Sequence, residues 1–137
     1  MTQFQSALAV YEKAVTRLAE AMKKEADEFM RDSAIKRFEI AFDLSWKAAK
    51  ACQEESKGVT CASPKGCFRE AFRQGIIEYD EFWLELTDLR NRAAHTYDEE
   101  LADRIYRRLP DAVAHFQDLS VRMREAAGHL SSPSSGE

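Results

Sequence analysis

No segment of this sequence alternates apolar and polar residues with period two over the length of a strand, so nothing in it calls for a β-sheet. No stretch approaches the ~18 apolar residues that a membrane span requires. The opening residues, MTQFQSALAVYEKAV, show no basic segment followed by an unbroken apolar run, and the expected location is the cytoplasm. Cysteine is scarce. Cys52, Cys61 and Cys67 are odd in number and lack C-x-x-C spacing, which argues against a disulfide framework or a zinc site and predicts free thiols. Positive charge is not in excess either: 20 Lys and Arg against 24 Asp and Glu leave a net charge of −4. Such a chain is no general polyanion binder, and any contact with RNA or DNA has to come from a local basic patch.

What is present is helical periodicity. A length of 137 residues, 45% hydrophobic and 32% charged, fits one soluble globular domain with room for a core, expected over residues 1–127. The remainder, GHLSSPSSGE, is too polar to order itself, so 128–137 reads as a disordered tail that includes His129.

Phe4, Leu8, Tyr11, Val15, Leu18 and Met22 step by fours and threes, which predicts a first helix over about residues 3–24. Asp27 or Asp32 can cap a second helix. There Ile35, Phe38, Phe42, Ser45, Trp46, Ala49 and Cys52 form one stripe and Ile40 with Leu44 a second, so this helix is expected at the centre, with Trp46 as a core anchor. Ser63-Pro64 reads as an N-cap and first helical residue. The short helix it opens should end at Gly75 and bury Cys67 or Phe68, Ala71 and Phe72. A fourth helix is expected to begin near Tyr79, with Tyr79, Phe82, Trp83, Leu86 and Leu89 inward. After a break and a fresh cap at Asp98, Leu101, Ile105, Leu109, Ala112, Phe116, Leu119 and Met123 predict a last long helix. Pro110 interrupts it, so a kink or two abutting helices is expected there. The fold class is therefore all-α, an up-and-down bundle of four long helices plus one short helix. Apolar stripes in excess of what one small bundle can bury suggest that it dimerises.

The polar residues concentrate at the end of the fourth helix, in LTDLRNRAAHTY, where Arg90, Asn91, His95 and Tyr97 fall within eight positions. Asn91 and His95 share a helix face, whereas Arg90 lies roughly 140° from His95 and has to reach round. Arginine is charged at any cellular pH and forks onto two phosphate oxygens; histidine titrates near neutrality and can carry protons. The pair suits phosphodiester chemistry. Cations also favour helix C-termini merely by complementing the dipole, and Arg90 with His95 alone would fit that structural role. His115 is set aside as helix surface or core edge. Arg92 with Arg104, Arg107 and Arg108 forms a local basic group suited to RNA phosphates, as does the row Lys65, Arg69 and Arg73, although each cluster also fits a solvated face with partners such as Glu70. No carboxylate cluster at ligand spacing surrounds the motif, so neither metal nor cofactor is expected.

Arg90-Asn91-x-x-x-His95-x-Tyr97 resembles the Arg-polar-x3-His-x-Tyr signature of HEPN domains, helical bundles found in prokaryotic toxins and in nucleotidyltransferase-linked proteins. The stretches 37–50, 63–77 and 83–110 resemble the subgroup called nucleotidyltransferase substrate-binding proteins, so the likeness spans most of the expected domain. The resemblance implies a homodimer whose Arg and His face one another across a cleft, and a metal-independent endoribonuclease. It also implies a minimal nucleotidyltransferase partner acting as antitoxin by transferring AMP to the tyrosine. By position, Arg90 and His95 become catalytic, Asn91 the supporting polar residue and Tyr97 the modification site. His95 would act as general base toward a ribose 2′-OH and Arg90 would stabilise charge on phosphorus, leaving a 2′,3′-cyclic phosphate, so RNA is the implied substrate. The same resemblance allows an alternative, a non-catalytic substrate-binding subunit of a two-component nucleotidyltransferase.

Overall fold

The computed structural model describes residues 1–95 and 97–128. Thr96 and, from the expected tail, residues 129–137 with His129 lie outside them. The described residues form five helices and no strand: α1 (Gln3–Met22), α2 (Glu28–Lys57), α3 (Pro64–Arg73), α4 (Phe82–His95) and α5 (Glu99–Ala126). Sequence chemistry sets most ends. Thr2 and Gln5 form a reciprocal capping box on α1. The side chains of Asp27, Ser63 and Asp98 accept from backbone N–H groups at the starts of α2, α3 and α5. Gly58 closes α2 with φ of 65°, a left-handed position that favours glycine.

The central element is α2, which packs against all four other helices. Phe4, Leu8, Tyr11, Val15 and Leu18 of α1 are buried, as are Ile105, Leu109, Phe116 and Met123 of α5. A chain of aromatic rings runs through the middle. Phe38 stacks on Phe116 at 6.3 Å, Phe116 meets Trp83 at 5.8 Å, and Trp83 stacks on Phe68 at 4.5 Å. The Tyr11 hydroxyl, pushed well above its ordinary pKa chiefly by burial, donates to the Phe116 carbonyl at 2.7 Å.

Several expectations are corrected. Trp46 is only partly buried: Phe42, Ser45 and Ala49 take the core side of α2, and Trp46, a neighbour of Ser45 about 100° round the helix, falls at the edge. The aromatic anchor is Trp83. Helix α4 starts at Phe82 rather than near Tyr79, because Asp80 Oδ1 takes the Phe82 N–H at 2.9 Å. Tyr79 stays exposed against Phe72, also exposed rather than buried. At Pro110 two abutting helices are ruled out: α5 is one helix running on through it, with Pro110 on the solvent side and Leu109 and Ala112 in the core register.

The cysteines are not all free. Cys61 and Cys67 form a disulfide with Cα atoms 5.2 Å apart, and only Cys52 is a free, buried thiol. The Ser63 cap turns the chain so that the loop cysteine returns against the first turn of α3, which an odd count and a missing C-x-x-C concealed. Closing so short a loop is worth about 2 kcal/mol on chain entropy. Reductant should lower the melting temperature of the native chain and leave that of a Cys61→Ser variant unchanged.

Asp80 also accepts from His115 Nε2 at 2.7 Å, while His115 Nδ1 faces the Asp111 carbonyl at 2.8 Å. Burial acts to raise the Asp80 carboxyl, but His115 and the Phe82 N–H outweigh it and hold Asp80 below the usual carboxylate range. A carboxylate with a depressed folded pKa contributes stability above its unfolded value, about 3.9, and loses it as pH falls through the folded one. Asp80→Asn should therefore lower the melting temperature at neutral pH and narrow its gap to the native chain below about pH 4.

Candidate functional site

Packing of Trp83, Leu86 and Leu89 fixes the rotation of α4, and that rotation separates the polar residues onto different sides. Arg90 turns toward α2. Its guanidinium forks onto Asp43, Nε to Oδ1 at 3.1 Å and Nη2 to Oδ2 at 3.0 Å, which raises the arginine pKa further. Two of its five N–H groups are used and three remain.

Tyr97 turns the same way. Its hydroxyl donates to Asp32 Oδ1 at 3.1 Å, although the side chain is 47% exposed. Burial of the hydroxyl, then the bond and charge of Asp32 with a contribution from Glu39, push its pKa up to about 12, with Arg31 opposing. The phenol therefore carries its proton at neutral pH. Arg31 holds Asp32 in place at 3.2 Å and reaches Glu99 at 2.8 Å and Asp103 at 3.0 Å, tying the start of α2 to the start of α5.

Asp32, Glu39 and Asp43, seven and eleven residues along α2, share one face. Sequence reasoning considered Asp32 only as a cap and passed over Asp43. The usable signal was this acidic row, repeating at seven and four along one face of α2. Among the described residues no group of three His, Cys, Asp or Glu gathers as a metal site would need.

Asn91 lies elsewhere. With Arg92, Arg104 and Arg108 it lines a groove of about 830 Å³ that also involves Asp88 and Glu85. Arg108 is committed there, pairing with Glu85 at 2.8 Å and lying over the Phe82 ring at 4.9 Å, whereas Arg107 is exposed outside the groove. His95 is the last residue of α4, its side chain exposed, and by register it follows the Asn91 face. The helix end thus presents His95 to solvent on its Asn91–Arg92 side, which opens as a groove, while Arg90 and Tyr97 take the side backed by carboxylates. Lys65 pairs with Asp88 at 2.8 Å and Arg73 with Glu70 at 3.4 Å, as members of a solvated face do.

Similar proteins share this arrangement of helices. A crystal structure of a Thermus thermophilus protein superposes with a TM-score of 0.78 at 39% identity, covering 83% of this chain and 98% of that one. The HI0074 protein of Haemophilus influenzae has a TM-score of 0.62 at 25% identity over 88% of this chain and 96% of its own. It is described as revealing the fold of a substrate binding domain of a nucleotidyltransferase. A curated Haemophilus influenzae protein named "Probable ribonuclease HepT" is 30% identical over 96 residues, 67% of this chain, which spans 66% of that protein's length. No helix among the described residues is long and apolar enough to cross a membrane. With residues 4–125 matching it, the chain belongs to the family described as nucleotidyltransferase substrate binding protein like.

Proposed function

We infer that the chain is a metal-independent endoribonuclease of the HEPN toxin kind, paired with a minimal nucleotidyltransferase that silences it by transferring AMP to Tyr97. One observation carries the reading: a permanently charged arginine, with its fork oriented by Asp43, stands on the same helix end as a solvent-exposed histidine and a protonated tyrosine. The name of the Haemophilus influenzae relative supports it.

In this mechanism His95 takes the proton of a ribose 2′-OH, the 2′-oxygen attacks phosphorus, and the 5′-oxygen leaves and is protonated. Arg90 offers its remaining N–H groups to the non-bridging oxygens as negative charge accumulates. RNA supplies its own nucleophile, and the products are a 2′,3′-cyclic phosphate and a 5′-hydroxyl. Arg92 and Arg104 guide the strand along the groove beside Asn91. Two copies supply two such helix ends, as the resemblance implies. AMP on Tyr97 removes the hydrogen that Asp32 accepts and sets an anion beside Asp32 and Glu39, which repel it toward the open side where His95 stands.

Asp43 has a defined part here as a positioning residue. Asp43→Ala should reduce kcat on the order of 10–100-fold with little change in KM, and cost at most about 1 kcal/mol of stability because the pair is partly exposed. Equal loss with Asp43→Asn and Asp43→Ala, together with an unchanged pH profile, is the expected pattern for a lost carboxylate orienting the fork.

A second reading, a non-catalytic substrate-binding subunit of a two-component nucleotidyltransferase, is favoured by one observation: Arg90 already has a carboxylate partner, and its surroundings are acidic. The description of HI0074 agrees with that reading. Incubating the native chain and a His95→Ala variant with RNA in chelator separates the two. Cleavage by the native chain alone, leaving cyclic phosphate ends, supports the nuclease; equal inertness or equal activity refutes it. Co-expression with a nucleotidyltransferase, followed by intact mass, tests AMP on Tyr97 against a Tyr97→Phe control.

A further inference from the structure

Two aromatic rings stand in solvent where the chain passes from α3 to α4. Phe72 is 44% exposed and Tyr79 59%, with ring centroids 5.3 Å apart at an angle of 68°. The Tyr79 hydroxyl donates to Glu81 at 2.9 Å, which fixes the set of that ring. Between the pair and the buried Phe68–Trp83 stack lies a hollow of about 40 Å³ with Arg69 on its rim. Space so small encloses no ligand, so an occupant has to lie flat across the rings.

Charge and position narrow what that occupant is. Lys65, Arg69 and Phe72 follow at four and three along one face of α3. The carboxylates around them are engaged: Asp88 by Lys65 at 2.8 Å, Glu70 by Arg73 at 3.4 Å, Asp80 by His115 at 2.7 Å, Glu85 by Arg108 at 2.8 Å and Glu78 by Arg122 at 3.9 Å. Arg69 pairs with no carboxylate among the described residues, and neither do Arg92 and Arg104. The hollow and the groove beside Asn91 share Asp80 and Leu84, so one continuous surface leads from the rings along α4 to the end that carries His95. Helix α4 is 14 residues long and spans about 20 Å, which is roughly six nucleotides at the 3.4 Å rise of a stacked strand. Arginines without carboxylates thus stand at both ends of a path of oligonucleotide length.

We propose that Phe72, Tyr79 and Arg69 form a base-stacking subsite for single-stranded RNA, the rings taking an unpaired base several nucleotides from the phosphate at His95 and Arg69 taking the adjoining phosphate. The choice of RNA rests on the proposed function, whereas the exposed rings and the path between the arginines do not. Every base has a face that stacks, so the subsite selects an unpaired strand rather than a sequence. In a duplex those faces are covered. A guanidinium without a carboxylate, set beside two rings, favours a nucleotide over the side chains of a protein partner.

The test uses the full chain and a decamer of 2′-O-methyl RNA, whose blocked 2′-oxygens prevent cleavage, compared with the same backbone lacking its bases. Fluorescence anisotropy should show the native chain binding the base-bearing strand more tightly, on the order of 10-fold, and a chain with both Phe72→Ala and Tyr79→Ala should lose that preference while holding the abasic strand as before. Arg69→Ala should weaken both strands and flatten the salt dependence. Duplex RNA should bind the native chain and the double variant alike. A strand carrying thiouridine should crosslink on irradiation to the segment that holds Phe72 and Tyr79, located by mass spectrometry. Both rings are exposed, so circular dichroism should match that of the native chain. Equal affinity of the native chain for base-bearing and abasic strands, a preference that survives the double change, or crosslinks confined to other helices overturns the proposal. The outcomes separate from those of the nuclease reading. A base preference lost in the double variant, with no cleavage of ordinary RNA by any form, keeps the subsite and ends the nuclease, whereas cleavage by a native chain that shows no base preference keeps the nuclease and ends the subsite.

Discussion

Alanine at His95 should lower the rate of RNA cleavage by about 10²–10⁴-fold, the usual contribution of a positioned general base. The fall should appear in kcat, because an exposed imidazole at a helix end contributes little to holding a polyanion, a role the proposed mechanism gives to Arg92 and Arg104 along the groove. Stability should move by no more than about 1 kcal/mol, the ordinary size of a helix-dipole contribution. Arg90→Ala differs in kind: in the proposed mechanism it removes charge stabilisation at phosphorus, and it also strands Asp43 on α2, so activity and melting temperature should fall together. The comparison is made with purified variants and RNA in chelator, reading rates and the chemistry of the fragment ends. Native-like cleavage by His95→Ala would remove the histidine from the mechanism.

Phe116→Ala should destabilise the fold by about 3–5 kcal/mol, the range for a fully buried phenylalanine. Its ring touches three others, Tyr11 edge-on at 6.2 Å, Phe38 stacked at 6.3 Å and Trp83 tilted at 5.8 Å, and so joins α1, α2, α4 and α5. No neighbour can fill the void without leaving its own place, because Tyr11 is held by its bond to the Phe116 carbonyl. A domain of this size should lose roughly 10–20 °C of melting temperature. Scanning calorimetry of the two proteins decides it, and a shift of only a few degrees would mean that the core closes over the gap. Part of the loss should reach the site, because Trp83 sets the rotation of the helix that carries Arg90.

The helices were legible because the core stripes repeat at three and four and the caps at Asp27, Ser63 and Asp98 are chemically explicit. Trp46 misled because its size outweighs its register, and hydrophobicity alone cannot distinguish the centre of a stripe from its edge. The cluster at the end of α4 was also visible, since its four polar residues are close in sequence. Its division was visible as an angle, roughly 140° between Arg90 and His95, but not as to what each side would meet. Arg90 faces α2 and Asn91 faces the α4–α5 groove, a consequence of how Leu86 and Leu89 seat. Asp43 and Asp32 lie 47 and 65 residues from their partners, a separation no local pattern bridges. The Cys61–Cys67 bond escaped for a similar reason, because it depends on the direction of the chain after Ser63-Pro64.

The phenol of Tyr97 works as a buckle between the first turns of α2 and the junction ahead of α5, fastened by one shared hydrogen. Esterifying that oxygen with any group unfastens it, whatever the group's size. A covalent mark at this position would therefore be legible at a distance as a loosened hold of Tyr97 on the start of α2, and a protein sensing that loosening need never recognise the group attached.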